Sequence, residues 1–358
     1  MAAPAAAERH DWPFTRPQLM AGLRRYLAAS SLRLLVITPI PLPDTVPGAT
    51  ATASGTRLSA MSVGVRIEGE DQSLPLVLKE PPVSRGRVLR AVGQREYGIY
   101  RRLAPHLPLL VPGLVAGDEI DGWVVLEVLT GLRPAHEWTA DDYTEAVLNL
   151  AALHDRFWGL AADLSNFPWL ARPLEADYAD TVLAAAEALR TLVIEERLPQ
   201  LNHARYYELF ARLTRAADEI AAPLRAEPAT LIHGDYWPGN IARPLDGRQI
   251  VFDWQLAGIG PAALDVAGFA QSVRMRLQPA LPVEAMVALY LERCRALVRP
   301  GWSDDHFRRL WDHALMWLFL AHWLGRLATI APESYAPLHD RFSAVWLEPL
   351  AEIVRRRL

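Results

Sequence analysis

Residues 231–240 read LIHGDYWPGN and residues 250–255 read IVFDWQ. Between them stands Asp246-Gly247, a strong two-residue hairpin signal, so NIARPLDGRQIVFDWQ is expected to form two short strands. Such a hairpin brings Asn240 and Asp253 to one end of the unit, beside the loop that carries Asp235. Asn and Asp oxygens are hard ligands of the kind Mg²⁺ uses when it keeps several waters and also binds substrate phosphates. Asn240 and Asp253 are therefore the candidate metal ligands, and Asp235 is left to accept a hydroxyl proton.

Toward the N-terminus the pattern changes from helical to strand-like. LRLLVITPI, RLSAMSVGVRI, LPLVLKE, VPGLVAGD and GWVVLEVL are short branched runs separated by Pro, Gly, Asp and Ser, as in one largely antiparallel sheet. TRPQLMAGLRRYLA precedes them, with helical spacing at Leu19, Leu23 and Leu27. The run LVLKE contains Lys79, the only lysine among 37 basic residues. Its survival is either chance in an arginine-biased chain or a need for a compact charge on a flexible stem, which a guanidinium fork does not supply.

One helix, expected from about Arg85 to Leu103, interrupts the strands. Its apolar stripe runs Leu89, Val92, Glu96, Ile99 or Tyr100, and Leu103, so a carboxylate occupies an inward position. Either the helix turns slightly and Glu96 reaches solvent, or Glu96 forms a buried ion pair with Lys79, since an unpaired carboxylate there would be costly. A lysine, a helix glutamate, a metal pair and a base are the parts that phosphoryl transfer requires.

Taken together these residues resemble the aminoglycoside phosphotransferase and choline kinase-like families, which share the bilobal protein-kinase-like fold. His233, Gly234, Asp235 and Asn240 match the families' H-G-D-x-x-x-x-N loop, and Asp253-Trp254-Gln255 matches their metal-binding D-W or D-F motif. GPAALDVAGFA resembles the segment that follows, and LAALHDRFW resembles the helix with a Leu153-His154 pair. The likeness runs from about Leu32 to Ala270. Gln255, where many relatives carry an acid, resembles the ecdysteroid kinase-like branch.

The resemblance implies an α+β fold: an antiparallel β-sheet N-lobe with one helix, then a larger, mostly helical C-lobe. It implies that Lys79 contacts the phosphates of ATP or GTP, that Glu96 holds it, and that the Glu127–Leu129 backbone meets the purine. It also implies Asp235 as base, Mg²⁺ on Asn240 and Asp253, and His233 and Asp265 as supports of the loop. The segment PGATATASGT stands where a phosphate-covering loop is expected, with Ser54 and Thr56 as hydroxyl contacts, although no G-x-G-x-x-G is present. Neither D-F-G nor an activation segment that runs from it to A-P-E appears, which argues against a protein kinase. A catalytically silent nucleotide-binding pseudokinase is the other alternative, and its signature, loss of Lys79, Asp235, Asn240 or Asp253, is not seen.

Composition sets the remaining expectations. With 358 residues, 51% hydrophobic, the chain is read as a disordered tail (1–10), a nucleotide-binding lobe (11–128) and a catalytic, substrate-binding helical lobe (129–358). The formal net charge of -4 suggests no nucleic-acid or membrane-surface partner. A single cysteine, Cys294, and the absence of a signal-peptide pattern suggest a cytoplasmic protein. ALMWLFLAHWLGRLATI is interrupted by His322 and Arg326 and reads as a buried helix, not a membrane span.

Acceptor specificity is read from charge. From Gln271 to Leu358 there are 9 acidic and 12 basic residues with five tryptophans, which suits a neutral, partly apolar or anionic alcohol better than a polycation. Trp237, Trp254, His322 and Trp323 are the candidate acceptor contacts, although each of the five tryptophans after Gln271 reads first as core. His322 likewise follows Trp311, Leu315 and Leu318 at helical spacing, as a core histidine would.

Overall fold

The computed structural model describes residues 11–43, 55–82, 91–245, 247–297 and 302–358. The tail 1–10, Ser54, Asp246 and the expected helical residues 85–90, Leu89 among them, lie outside that set. Contacts divide the chain into two compact units: Met1–Ser84 with Ala91–Ala104 and Val111–Gly131, and Arg85–Arg90 with Pro105–Leu110 and Leu132–Leu358.

In the first unit, strands β1 (Leu32–Ile40), β2 (Arg57–Ile67), β3 (Glu70–Glu80), β4 (Leu114–Gly117) and β5 (Val124–Glu127) form an antiparallel sheet in the order β1-β2-β3-β5-β4. Glu68 and Gly69 join β2 to β3 with φ of 51° and 95°, and positive φ at both central residues is the requirement of a type I′ hairpin. Helix α1 (Arg16–Tyr26) starts at a capping box in which Thr15 accepts from the Gln18 backbone and Gln18 reciprocates. Its Leu19 and Leu23, both fully buried, pack among Met61, Val63, Leu76, Leu78, Val115 and Val125. Truncating either leucine to alanine should destabilise the unit by about 2–5 kcal/mol. Gly22 sits between them, and a Cβ there would come 2.0 Å from the Val115 carbonyl, so the approach of α1 to β4 requires glycine.

This layer fixes the side on which Lys79 emerges. Leu76 and Leu78 face α1, so the two-residue period of β3 sends Val77 and Lys79 to the opposite face. Helix α2 (Val92–Gly98) supplies Glu96 there. It continues as a π-helical turn, Ile99–Leu103, in which Ile99, Tyr100 and Leu103 are all buried. The extra residue of the π turn explains why the sequence spacing left Ile99 and Tyr100 as alternatives.

The second unit is mostly helical. Its α3 (Ala140–Phe157) begins at a capping box of Thr139 and Asp142, and packs against the helix Val283–Leu297. The stretch ARYYELFARLTRAADEIAAPL forms two helices, Ala204–Arg215 and Ala217–Arg225, broken at Ala216. Two small sheets carry the motif residues: β6 (Ala229–Ile232) pairs with β9 (Gly258–Pro261), and β7 (Ile241–Ala242) pairs with β8 (Ile250–Val251). Among the described residues no helix is long and apolar enough to cross a membrane.

Candidate active site

In the first unit Lys79 Nζ lies 2.7 Å from Glu96 Oε2 and 3.0 Å from Oε1. Glu96 is buried and also accepts from the Tyr100 hydroxyl at 3.2 Å. Of the two readings of Glu96, the buried ion pair is the one observed. A pair with this little solvent is weak evidence for net stability, but removing one partner would strand the other charge. Thr56 is buried just before β2. The Glu127 carboxylate accepts from Tyr26 Oη at 2.6 Å and from the Gly113 amide at 2.7 Å, and the Glu127 amide donates to the Gly113 carbonyl. Burial first, and then Glu127, push the Tyr26 hydroxyl up to about 12. Both the side chain and the N–H of Glu127 are thus committed to Tyr26 of α1 and to Gly113, and Leu129, half-buried, follows the strand end.

In the second unit the loop after β6 is held from behind by Asp265, at the start of the helix Ala263–Arg276. Asp265 accepts from the backbone amides of His233 at 2.7 Å and Gly234 at 2.8 Å, and from His154 Nε2 at 3.3 Å. His154 Nδ1 in turn meets the Tyr290 hydroxyl at 2.7 Å. Burial alone would raise the Asp265 pKa. The His154 hydrogen bond, the electrostatic pull of the His154 and His233 imidazoles and the His233 amide outweigh it, leaving the carboxylate below its ordinary value. Gly234 has φ of +82°, and a Cβ there would come 2.4 Å from the Leu256 carbonyl, so only glycine allows the turn.

His233 is fully buried, with Nε2 donating to the Phe252 carbonyl at 3.0 Å and Nδ1 accepting the Asp235 amide at 3.2 Å. These bonds tie the loop to the chain leaving β8. Asn240 Nδ2 donates to both the carbonyl and the carboxylate of Asp235 at 2.8 Å. Asp235 is otherwise differently placed from Asp265: burial first, then the nearby Asp253 charge, push it up to about 7 against the pull of Arg276 and Asn240. Asp253, half-buried, adopts a left-handed conformation with φ of 63°.

The donor set suits a hard divalent cation. The Asp253 charge that helps to raise Asp235 would be offset by positive charge, and the Asn240 side-chain carbonyl oxygen is the acceptor left after its amide nitrogen is committed to Asp235. Among the described residues no group of three or more His, Cys, Asp or Glu forms a closed metal cage.

In front of Asp235 opens a cleft of about 200 Å³, built wholly from the second unit. The helix Ala263–Arg276 presents Asp265, Gly268, Ser272 and Arg276 to it, and the opposite wall carries His322, Trp323, Arg326 and Trp346. Trp237 and Trp254 do not line the cleft. The Trp237 ring lies under the Arg276 guanidinium, 4.2 Å from its centroid. Trp254 is fully buried, donating to the Val251 carbonyl at 3.1 Å and packing 4.5 Å from the His233 ring, so it is core rather than an acceptor contact. The expectation of a core histidine at 322 is also corrected. His322 is exposed on the cleft wall, because the helix Asp304–Leu318 passes into a π turn at Phe319–Trp323 that shifts the register. Cys294 is buried, and burial pushes its thiol up to about 11, which removes it as a nucleophile.

Arg276, Arg326 and Tyr290 were not among the sequence candidates. The stripe 265, 268, 272, 276 has helical spacing from Asp265, and that signal could have found Arg276.

The matching family model is the phosphotransferase enzyme family, over residues 57–304, more than half of the chain. The chain belongs to this phosphotransferase family. Among solved structures, the choline kinase LicA from Streptococcus pneumoniae matches at TM-score 0.53 and 10% identity, over 89% of this chain and 94% of that one. The aminoglycoside phosphotransferase APH(2'')-Ib, ADP-bound, matches at TM-score 0.51 and 14% identity, over 95% and 99%. A streptomycin-ATP-APH(2")-IIa ternary complex matches at TM-score 0.50 and 14% identity, over 96% and 99%. At these identities the structural matches show the kinase-like fold alone, with an antiparallel sheet in one unit and a mostly helical second unit. The tRNA (34-2'-O)-methyltransferase regulator WDR6 of Pongo abelii is 30% identical over 137 residues, 30% of this chain. The chain spans 12% of the length of that curated relative and of its Rattus norvegicus counterpart.

Proposed function

We propose that this phosphotransferase is a small-molecule kinase, moving the γ-phosphate of ATP or GTP to an alcohol. The observation that carries the reading is the Asp235 loop: a carboxylate held by Asn240, backed by a braced aspartate, raised to about 7 and open to a cleft. A base whose pKa lies near working pH accepts a proton best. Asp235 would orient the acceptor hydroxyl and take its proton as phosphoryl transfer proceeds.

Asn240 and Asp253 would hold Mg²⁺, which when bound neutralises charge on the phosphates. Lys79, fixed by Glu96, would contact nucleotide phosphates, with the Thr56 and Ser54 hydroxyls alongside. The purine would meet the Glu127–Leu129 backbone, though not the Glu127 amide, which is already bonded to Gly113. Lys79, Asp235, Asn240 and Asp253 are all retained, which favours turnover over a silent nucleotide binder.

The test is substrate-dependent ADP release across amino alcohols, antibiotics, sugars and lipophilic alcohols, with Asp235→Asn as control. The reading expects at least one acceptor to stimulate release in the parent and not in the variant. Stimulation that is equal in both would contradict it.

A further inference from the structure

The cleft in front of Asp235 holds two arginines, and Asp235 is the acid there whose charge acts on Arg276. Among the described residues neither Arg276 nor Arg326 has a carboxylate within ion-pair distance, although the second unit pairs many others, such as Arg133 and Arg243 on Asp142 at 2.6 Å each. Both guanidiniums are positioned. Arg276 lies 4.2 Å from the Trp237 ring centroid and Arg326 lies 5.4 Å from that of Trp323. Stacking on an indole restrains a guanidinium and leaves its N–H edge open for a planar or tetrahedral anion.

The two also feel one another. The Arg276 pKa is lowered first by burial and further by the charge of Arg326, while Asp235 acts the opposite way. Asp265, the other acid of the cleft, is already bonded to His154 and two backbone amides. Around them stand the Ser272 hydroxyl and the Trp346 indole, whose buried N–H has no protein acceptor. Leu256, Leu264 and Leu318 give the rest of the cleft an apolar lining.

We propose that the acceptor is an alcohol carrying an anionic group, a carboxylate or a phosphate, on a compact apolar body, and that Arg276 and Arg326 bind that group while the hydroxyl meets Asp235. The inference rests on the kinase reading for the word acceptor, and it separates this chain from cation-binding sites, which such a pair would repel. Charge-assisted hydrogen bonds from guanidinium to an oxyanion contribute about 1.5–3 kcal/mol, roughly a tenfold to hundredfold preference over the neutral analogue.

Titration calorimetry on the full chain with ADP and Mg²⁺ tests binding without requiring turnover. The probes are phenyllactate, its neutral diol, phenylalaninol as the cation, and glycerol phosphate against glycerol. At least one anion should bind about tenfold or more tightly than its neutral partner, and which one does so distinguishes carboxylate from phosphate. Arg326→Gln should abolish the preference and Arg276→Gln should weaken it. Arg326→Glu should turn preference toward phenylalaninol, a gain that a misfolded variant could not show. Preference for phenylalaninol in the parent, no binding of either anion, or anion preference surviving in the Arg276→Gln, Arg326→Gln double variant would overturn the proposal. Anion binding through the arginines without phosphoryl transfer to any acceptor would keep this inference and refute the kinase reading.

Discussion

The back and the front of the Asp235 loop each carry an aspartate withdrawn from solvent, and the two have been driven in opposite directions. Burial raises both. Behind the loop, Asp265 collects two backbone amides and His154, and ends below the ordinary carboxylate value. In front, Asp235 gains one amide from Asn240, faces the Asp253 charge, and ends near 7. The difference lies in the donors around each group and in exposure, since Asp265 is buried and Asp235 is partly open to the cleft. The back is an anion that holds the loop's shape, and the front is the carboxyl that the proposed function makes the base.

The largest expected effect comes from breaking the back. Asp265→Ala leaves two loop amides and His154 without their acceptor, and should lower stability by about 3 kcal/mol or more while abolishing turnover. Chemical denaturation of the variant reads the first and ADP release the second. Near-parental stability would mean that the loop is held by other bonds.

Breaking the front should do the reverse to stability. Asp235→Asn should lose about 10² to 10⁴ in turnover. A raised folded pKa means that stability is fully present below the unfolded value near 3.8 and is lost as pH rises toward 7. The variant, which never ionises, should therefore melt a few degrees above the parent at pH 8 and show no such advantage near pH 4. A melting temperature lowered at both pH values would contradict the assignment.

The first unit offers a milder contrast, an acid already paired. Lys79→Arg keeps the charge beside Glu96 but not the reach of an ammonium, so it should fold like the parent and turn over sharply more slowly. Full activity would remove the role assigned to Lys79. The smallest effect concerns Asp142, held down to about 2 because the Thr139 amide, Arg133, the Thr139 hydroxyl and Arg243 outweigh its burial. Its contribution is present above the unfolded value near 3.8 and is lost as pH falls toward 2. Asp142→Asn should thus cost stability at pH 7 and much less at pH 2, as paired denaturation curves would show.

What could be read in the sequence was chemistry confined to short range or written against a pattern. H-G-D-x-x-x-x-N and D-W place their groups within a few residues, so the Asp235–Asn240 bond follows from the local chain. Glu96 was legible because it violates an apolar stripe, and burial of a carboxylate demands a partner. Trp254 was misjudged because the left-handed turn at Asp253 precedes it, and a residue in that conformation gives no pattern in sequence. His322 was misjudged because a π turn inserts one residue into the helical count. A second π turn, Ser343–Leu347, carries Trp346 to the same cleft. The arginine pair was hidden for a further reason: Arg276 and Arg326 come from distant helices, and only packing brings them to one cleft.

The central claim is that Asp235 is a base raised by burial and, next, by its neighbour Asp253. Its titration can be followed by carboxyl carbon NMR in the magnesium-free protein, in the parent and in Asp253→Asn. A midpoint near 7 in the parent, falling in Asp253→Asn and falling again when Mg²⁺ is added to the parent, is the predicted result. A midpoint near the ordinary 3.8 in both proteins, indifferent to magnesium, would contradict it.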